Sequence, residues 1–520
     1  MMINVGLIGE SSPWSQLLSQ EGVPYGTVDM ENFAPAEWSL VVVNRTIAHR
    51  EREVIERYLG SGGAVLGFTG HLVRVCGIDG VIDRVEFLVS DGDDLFSDVH
   101  LLDLGVEGAI AREANALRTN RNVRALFAGP LGGGYAVVFP FDPAELTFDW
   151  RAASKCFYFG RDRLPYERVS LVSKGEVRHL LHRALEYLHH VRGLPYARLW
   201  PFPAGKRNLF AFRIDTDGAP KMDIERLHEL ASQYHISLSW YLDVKSHEQW
   251  LSHFGRFEKD EIGVHCYEHK VYPSYEGNLE NILSAVRAMN LSGLKPKGFS
   301  APFGEWNPSL ARATDDLGFE YSSEFSYAYD TLPFYPEVEG IRSKALQIPI
   351  HPVCIGSMVR VGFVEKQMRE YYRQNIELKL SRGEPLFYYH HPSHGCWSVV
   401  EEMFANVRRM GIDFTTMLDF ASWWKCRETI KLRIKVANDA MTFETGLVKA
   451  ERSDVWVEVS LPNGKTALRP LLEERTELRD AGFGESSHRV PAPPDIRRIR
   501  EFDPRAAIGQ WYNALMRKLQ

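Results

Sequence analysis

Two histidines four residues apart, His265 and His269 in "EIGVHCYEHK", stand at the end of an apolar run with carboxylates around them. Such a pair can hold a metal ion, but eighteen histidines in 520 residues give about 0.6 pairs of this spacing by chance. A second pair, His390 and His394 in "HHPSHG", does occur, so context must decide. The context is positional. Polar residues able to bind metal follow one apolar run after another: Asp215 and Asp217 in "RIDTDG", His265 and His269, Ser300 to Gly304, His351, then His390 and His391. Two imidazoles and one carboxylate can grip a divalent cation from one side and leave positions open for water and substrate. A second carboxylate beside that water could act as base. The same ligand set also suits Fe(II) and an oxygenase. "HCYEH" further fits His-x-x-Glu-His, the inverted zinc-peptidase signature, in which Glu268 would be the base. That mechanism needs a continuing helix. Here the pair follows the strand-like "EIGV", and Pro273 comes four residues after His269.

The elements that must position these residues lie between about 205 and 425. "NLFAFRIDTDG" reads as a strand ending in acids, "IERLHELASQYH" as a helix and "ISLSWYLD" as a strand. Then come "EIGVH", a helix over 278–290, "KGFSAP", a helix over 308–317, "ALQIPIHP", a helix around 366–381, and "PLFYYHH". Strand-then-helix units repeated without reversal suggest a parallel barrel or an open parallel sheet. Either one places chemistry at the C-terminal strand ends.

Before this region, residues 1–197 alternate strand-like "INVGLIG", "SLVVVN" and "GAVLGF" with helical stretches, and "YAVVFPF" closes the sheet. The alternation argues a flavodoxin-like parallel sheet covered by helices on both faces. "EVRHLLHRALEYLHHVRGLP" sets Val177, Leu180, Leu181, Ala184, Leu185, Leu188 and Val191 on one helical face before Gly193 and Pro195 stop it. "RLWPFPAGKRN" (198–208) reads as a linker. After the barrel region the period changes: "TIKLRIKVAND", "TFETGLVKAE" and "DVWVEVSLPNG" alternate polar and apolar residues. Residues 427–520 therefore make a small antiparallel β module, with a terminal helix over 504–520.

The composition is that of a globular protein, 44% hydrophobic and 25% charged. A net charge of −7 without a Lys/Arg run argues against nucleic acid as a general partner. The first residues show no basic leader, and no stretch has the apolar length of a membrane span. The six cysteines are scattered without a CxxC pair, which points to a reducing compartment. The cytoplasm is the expected location.

The order and spacing of the strand-end motifs resemble the polysaccharide deacetylase family, the NodB-homology or carbohydrate esterase family four group. "RIDTDG" matches its Asp-Asp motif, "EIGVHCYEH" its His-(Ser/Thr)-x-x-His motif and "FSAPFGEWNPSL" its Arg-x-Pro-Tyr motif. "LFYYHHPSHG" matches its terminal histidine strand, and "FASWWK" its closing helix. The resemblance implies a distorted (β/α) barrel over 205–425 and a metal-dependent deacetylase acting on an N-acyl group of a sugar. A precursor of a surface glycan, such as an O-antigen or capsule unit, would be its substrate if it works inside the cell. It implies Asp217, His265 and His269 as ligands of a divalent cation, most readily zinc. Asp215 would be the base, the Phe303 backbone N–H would face the oxyanion, and His391 would be the acid. His390 is an alternative to His391, since alternation along a strand lets one of the two point inward.

Three departures stand out. Thr216 splits the Asp pair, Ser300 replaces the arginine that would pin the base, and Glu324 stands in for a further aspartate. They leave open an inactive carbohydrate-binding barrel. His351 is expected to pack, and His394 to sit in a surface turn; Trp306 is core or cleft wall. Residues 1–197 resemble, in layout, a class I glutamine amidotransferase domain. Its nucleophile turn corresponds to "GFTG" (67–70), which has no cysteine, so a non-catalytic relative is expected.

Overall fold

The computed structural model describes residues 1–90, 95–159, 162–447, 452–479, 482–485 and 511. The chain divides into two compact units, each built from separated stretches. Of the described residues, one joins Met1–Phe148, Val172–Arg207 and those from Trp423 to 485; the other joins Asp149–Leu171 and Asn208–Ser422. The terminal helix expected over 504–520 lies, Trp511 apart, outside the described residues.

In the second unit a curved parallel sheet runs in the order Leu346–Gln347, Tyr321–Ser322, Gly298–Phe299, Glu261–Cys266, Ser239–Asp243, Leu209–Asp215, Leu386–His390. Asp413–Phe414 adds beside the start of Leu209–Asp215. All of these pairings are parallel, with Asp215 opposite Tyr241, Trp240 opposite Ile262 and Ile214 opposite His390. Strands such as Leu209–Asp215 and Ser239–Asp243 are buried along their whole length, as parallel strands covered by helices on both faces must be. The sheet is a half-barrel. Between its two ends the His351 N–H donates to the Phe387 carbonyl at 3.0 Å. A core of Phe210, Phe212, Trp240, Leu242, Val264, Phe299 and Phe404 packs the sheet against its helices, Phe404 coming from helix Trp397–Arg409.

A hairpin, Ala152–Phe159 with Asp162–Ser170, belongs to this unit although the sequence places it in the first region. Ser170 N–H donates to the Phe325 carbonyl at 3.1 Å, and Phe157 and Phe159 meet Tyr329 and Tyr371 edge-on.

The other unit corrects the expectation of a purely parallel sheet. Its nine strands begin in parallel, Tyr25–Thr27, Val5–Leu7, Leu40–Val43, Ala64–Phe68 and Gly134–Phe139. They continue antiparallel through Arg124–Leu131, Ala116–Thr119, Gly80–Val89 and Leu101–Ala111. Gly134–Phe139 is thus an interior strand that ends the parallel half. The long segments 80–89 and 101–111 pair with each other as neighbours in sequence, which needs no crossover helix. Helix Lys174–His190 buries Val177, Leu180, Leu181, Ala184, Leu185 and Leu188 as its spacing predicts. The strands after 430 are antiparallel, in two small sheets rather than one module. Met2–Ile3 pairs with Leu432–Ala437, and Tyr196–Leu199 pairs with Trp456–Ser460.

Candidate functional site

Asp215 ends its strand, and the chain then turns sharply. Asp217 adopts φ 37° and Gly218 φ 68°, a left-handed pair whose non-glycine member costs about 1–3 kcal/mol. Thr216 fixes the turn: its hydroxyl donates to the Tyr241 carbonyl at 3.2 Å and accepts from the Asp243 N–H at 2.9 Å. The inserted threonine therefore separates two carboxylates onto different backbone geometries. Asp215 stays on the strand and receives Arg213 Nη2 at 2.7 Å, while Arg213 Nη1 donates to the Ser323 carbonyl at 2.6 Å. Arg213 thus holds the Asp215 carboxylate with its own guanidinium. It lies two residues before Asp215, on the same face of the strand. The Oδ1 atom of Asp215 is buried without a hydrogen-bond partner.

Asp217 projects among three imidazoles. Its Oδ1 lies 3.1 Å from His265 Nε2 and 3.2 Å from His269 Nε2, and those two nitrogens are 3.2 Å apart. His391 Nε2 is 3.2 Å from Asp217 Oδ2. Burial raises the Asp217 carboxyl, but His265, His269 and His391 outweigh it and hold the group far below the carboxylate range. His265 answers in the opposite direction: burial lowers its pKa, and Asp217 and Asp215 together more than restore it.

The donor set fits a divalent cation. His265 Nδ1–H donates to the Ser300 carbonyl at 2.7 Å, which leaves Nε2 to present its lone pair to the site. Asp217 Oδ1, flanked by two imidazole nitrogens, makes no hydrogen bond of standard geometry with either. The triangle of 3.1–3.2 Å edges matches the ~3.3 Å edge expected of tetrahedral ligands about 2.0–2.1 Å from zinc.

The structure brings together Asp215, Asp217, His265, His269 and His391, and it sends other residues elsewhere. His390 is fully buried, with its ring along Phe212 and edge-on to Trp397. Both its nitrogens lack partners, and burial holds its pKa well below the usual value. Strand alternation turns it from the face that His391 serves. Phe303 sits at φ 58° in the Pro302–Gly304 turn, with its half-exposed ring edge-on to His269 at 4.8 Å. Glu324 is buried and accepts from the Ala301 N–H at 3.2 Å, so it braces the same loop; burial lifts its pKa to about 7. His351 packs, with Nε2 2.6 Å from the Tyr371 hydroxyl. Trp306 is core, stacked on Tyr327 at 4.1 Å. Glu268 faces outward, held by Lys245 at 2.9 Å and the Tyr272 hydroxyl at 3.0 Å. His269 follows a strand and turn, so no zinc-peptidase helix is present at this pair.

Sequence reasoning missed a neighbouring cluster. Cys354 is buried within 4.8 Å, ligand atom to ligand atom, of both His391 and His394. His394 does lie in a turn, Pro392–His394, and is partly buried beside that cysteine.

In the other unit "GFTG" does form a strand-to-helix turn, from Ala64–Phe68 into Thr69–Cys76. Thr69 there is buried, its hydroxyl donating to the Phe139 carbonyl at 3.2 Å.

No family model matches the chain, and no curated protein matches it by sequence. Solved structures do. A Mycobacterium smegmatis protein provisionally named a polysaccharide deacetylase is 17% identical, with a TM-score of 0.39, over 43% of this chain and 92% of its own. The allantoinase Puue is also 17% identical, at 0.37, over 43% and 93%. A family 4 acetyl xylan esterase from Clostridium thermocellum, solved with a cobalt ion, is 13% identical, at 0.29, over 42% and 91%. With identities below 20% and TM-scores below 0.5, these likenesses leave function to be argued from the site itself.

Proposed function

We propose that this chain is a metal-dependent deacetylase that hydrolyses an N-acetyl, or similar N-acyl, group on a sugar. The observation that carries the reading is the Asp217–His265–His269 triangle, with a pinned carboxylate and a third imidazole beside it. A divalent cation held by Asp217, His265 and His269 would supply Lewis acidity toward the acyl oxygen and toward water. The rest falls to the side chains. Asp215, oriented by Arg213 and with Oδ1 free of partners, takes the proton from the attacking water. The Phe303 backbone N–H, set by a left-handed turn on a braced loop, donates to the carbonyl oxygen as it gains charge. His391 holds a proton, because Asp217 outweighs the burial that would strip it. It delivers that proton to the departing nitrogen. A C–O bond forms, the C–N bond breaks, and acetate and a free amine leave.

The test is acetate release from a panel of N-acetylated oligosaccharides by protein stripped with chelator and then reloaded with zinc. Release should vanish on stripping and return on reloading. Undiminished turnover by the stripped protein would remove the metal from the reaction. No release from any acylated sugar by the loaded protein would favour a carbohydrate-binding barrel.

A further inference from the structure

Cys354, His391 and His394 form a second group of metal-binding side chains, and nothing in the deacetylation scheme uses two of them. Cys354 is almost fully buried, and its sulfur caps the helix Ile355–Arg360 by accepting the Ser357 N–H at 3.3 Å. Both histidines act on that sulfur and hold the thiol well below its ordinary value, against the burial that raises it. Yet the Nδ1 atoms of His391 and His394 are buried without a hydrogen bond of standard geometry. His391 Nε2 is already turned to Asp217, which leaves Nδ1 as its ring atom for the cluster. The fit of His394 is exacting: a Cβ built on Gly356 would fall on its ring, so only glycine there lets the imidazole approach the helix.

We propose that Cys354, His391 and His394 bind a second, thiophilic divalent cation, and that its occupancy opposes catalysis. A thiolate with two imidazoles is a ligand set for zinc, with a fourth position open. Coordination takes the Cys354 thiolate and the Nδ1 lone pair of His391, and any proton held on either atom passes to solvent. The Nε2–H of His391 then donates to Asp217 Oδ2, the pairing that metal-bound imidazoles usually make with a carboxylate. An imidazole held this way cannot also be the imidazolium that protonates the amine. The inhibitory half of the proposal rests on the deacetylase reading; the site itself does not.

The test is a Co²⁺ titration of stripped full-length protein, read by cation content and by thiolate-to-cobalt absorption in the near ultraviolet. The intact protein should take up about two cations per chain. The thiolate band should grow with the weaker one, and zinc added beyond the first equivalent should slow turnover. Cys354→Ser keeps a capping oxygen for Ser357 and so separates the thiolate from the cap; it should lose the band and one cation. His394→Ala should do the same. Asp217→Asn should lose the other cation and keep the band. Absence of the band at saturation, its survival in Cys354→Ser, or its loss in Asp217→Asn overturns the second site. Two cations retained in Asp217→Asn would instead overturn the deacetylase metal site and leave this one standing.

Discussion

Asp215 and Asp217 are two residues apart and serve different ends because the backbone changes hand between them. The strand keeps Asp215 against Arg213, and the left-handed turn swings Asp217 into the imidazoles. Three single substitutions separate the roles. Asp217→Asn should sharply reduce cation content. Asp215→Asn should keep the cation and lose about 10²–10⁴-fold in turnover, the usual cost of removing a general base. Glu268→Gln should keep both, because its carboxylate is held at the surface by Lys245 and Tyr272. Cation analysis beside initial rates reads all three; a Glu268→Gln protein that is inactive with its cation in place would point to a peptidase. That Asp217, His265 and His269 come together was legible in the sequence, because they stand at or just past the ends of apolar runs. Arg213 shares a strand face with Asp215, and its hold on that carboxylate matters more because Ser300 carries no guanidinium. Cys354 and His394 were not legible: their meeting is set by the close approach that Gly356 permits, which no local pattern records.

At the scale of elements, the half-barrel places the site by bringing strand ends to one edge, and periodicity suffices to predict that. The choice between His390 and His391 follows from strand phase. Register fixes it, with His390 opposite Ile214 and its ring on Phe212. The hairpin 152–170 escaped prediction because its partners, Phe325, Tyr329 and Tyr371, lie far along the chain. Glycine within the strand Glu261–Cys266 has a packing reason. A Cβ on Gly263 would meet the Gly298 carbonyl oxygen and the Tyr241 ring, each at 2.9 Å. The carbonyl is backbone and cannot rotate away. Gly263→Ala should therefore destabilise the protein by about 1–3 kcal/mol, the range for overpacking. Cation affinity should fall with it, because His265 lies two residues on, along the same strand. Urea unfolding beside a zinc titration checks both; unchanged affinity would mean that the strand absorbs the strain before His265.

At the scale of the whole molecule, the chain does not fold as beads in sequence order. The unit holding the N-terminus recruits strands from beyond residue 430, and Tyr196–Leu199, whose last two residues the sequence reads as the start of a linker, is one of the strands they pair with. A buried charge network marks this join. Glu21, fully buried at the end of helix Ser12–Glu21, receives Arg178 Nη1 at 3.0 Å and the Tyr196 hydroxyl at 3.0 Å. It also contacts His182 Nδ1 at 2.7 Å and Arg198, whose Nε reaches Glu458 at 2.7 Å. Helix Lys174–His190 and strand Tyr196–Leu199 meet on one carboxylate, and Arg198 links it to Glu458. Burial raises the pKa of Glu21, and Arg198, His182 and Arg178 together drive it well below the usual value. A carboxyl depressed by folding adds stability above its unfolded pKa of about 4.3, and that contribution fades as pH falls through the folded value. Glu21→Gln leaves Arg178 and Arg198 buried without their shared anion, and breaking a buried pair this way costs about 3–5 kcal/mol. The deficit against the unmodified protein should be constant at neutral pH and shrink below about pH 4.3, where the glutamate itself begins to bind a proton on unfolding. Urea unfolding at pH 7 and near pH 3.5 measures it. A deficit that does not change between those two conditions would mean that Glu21 acts through its shape and hydrogen bonds rather than its charge.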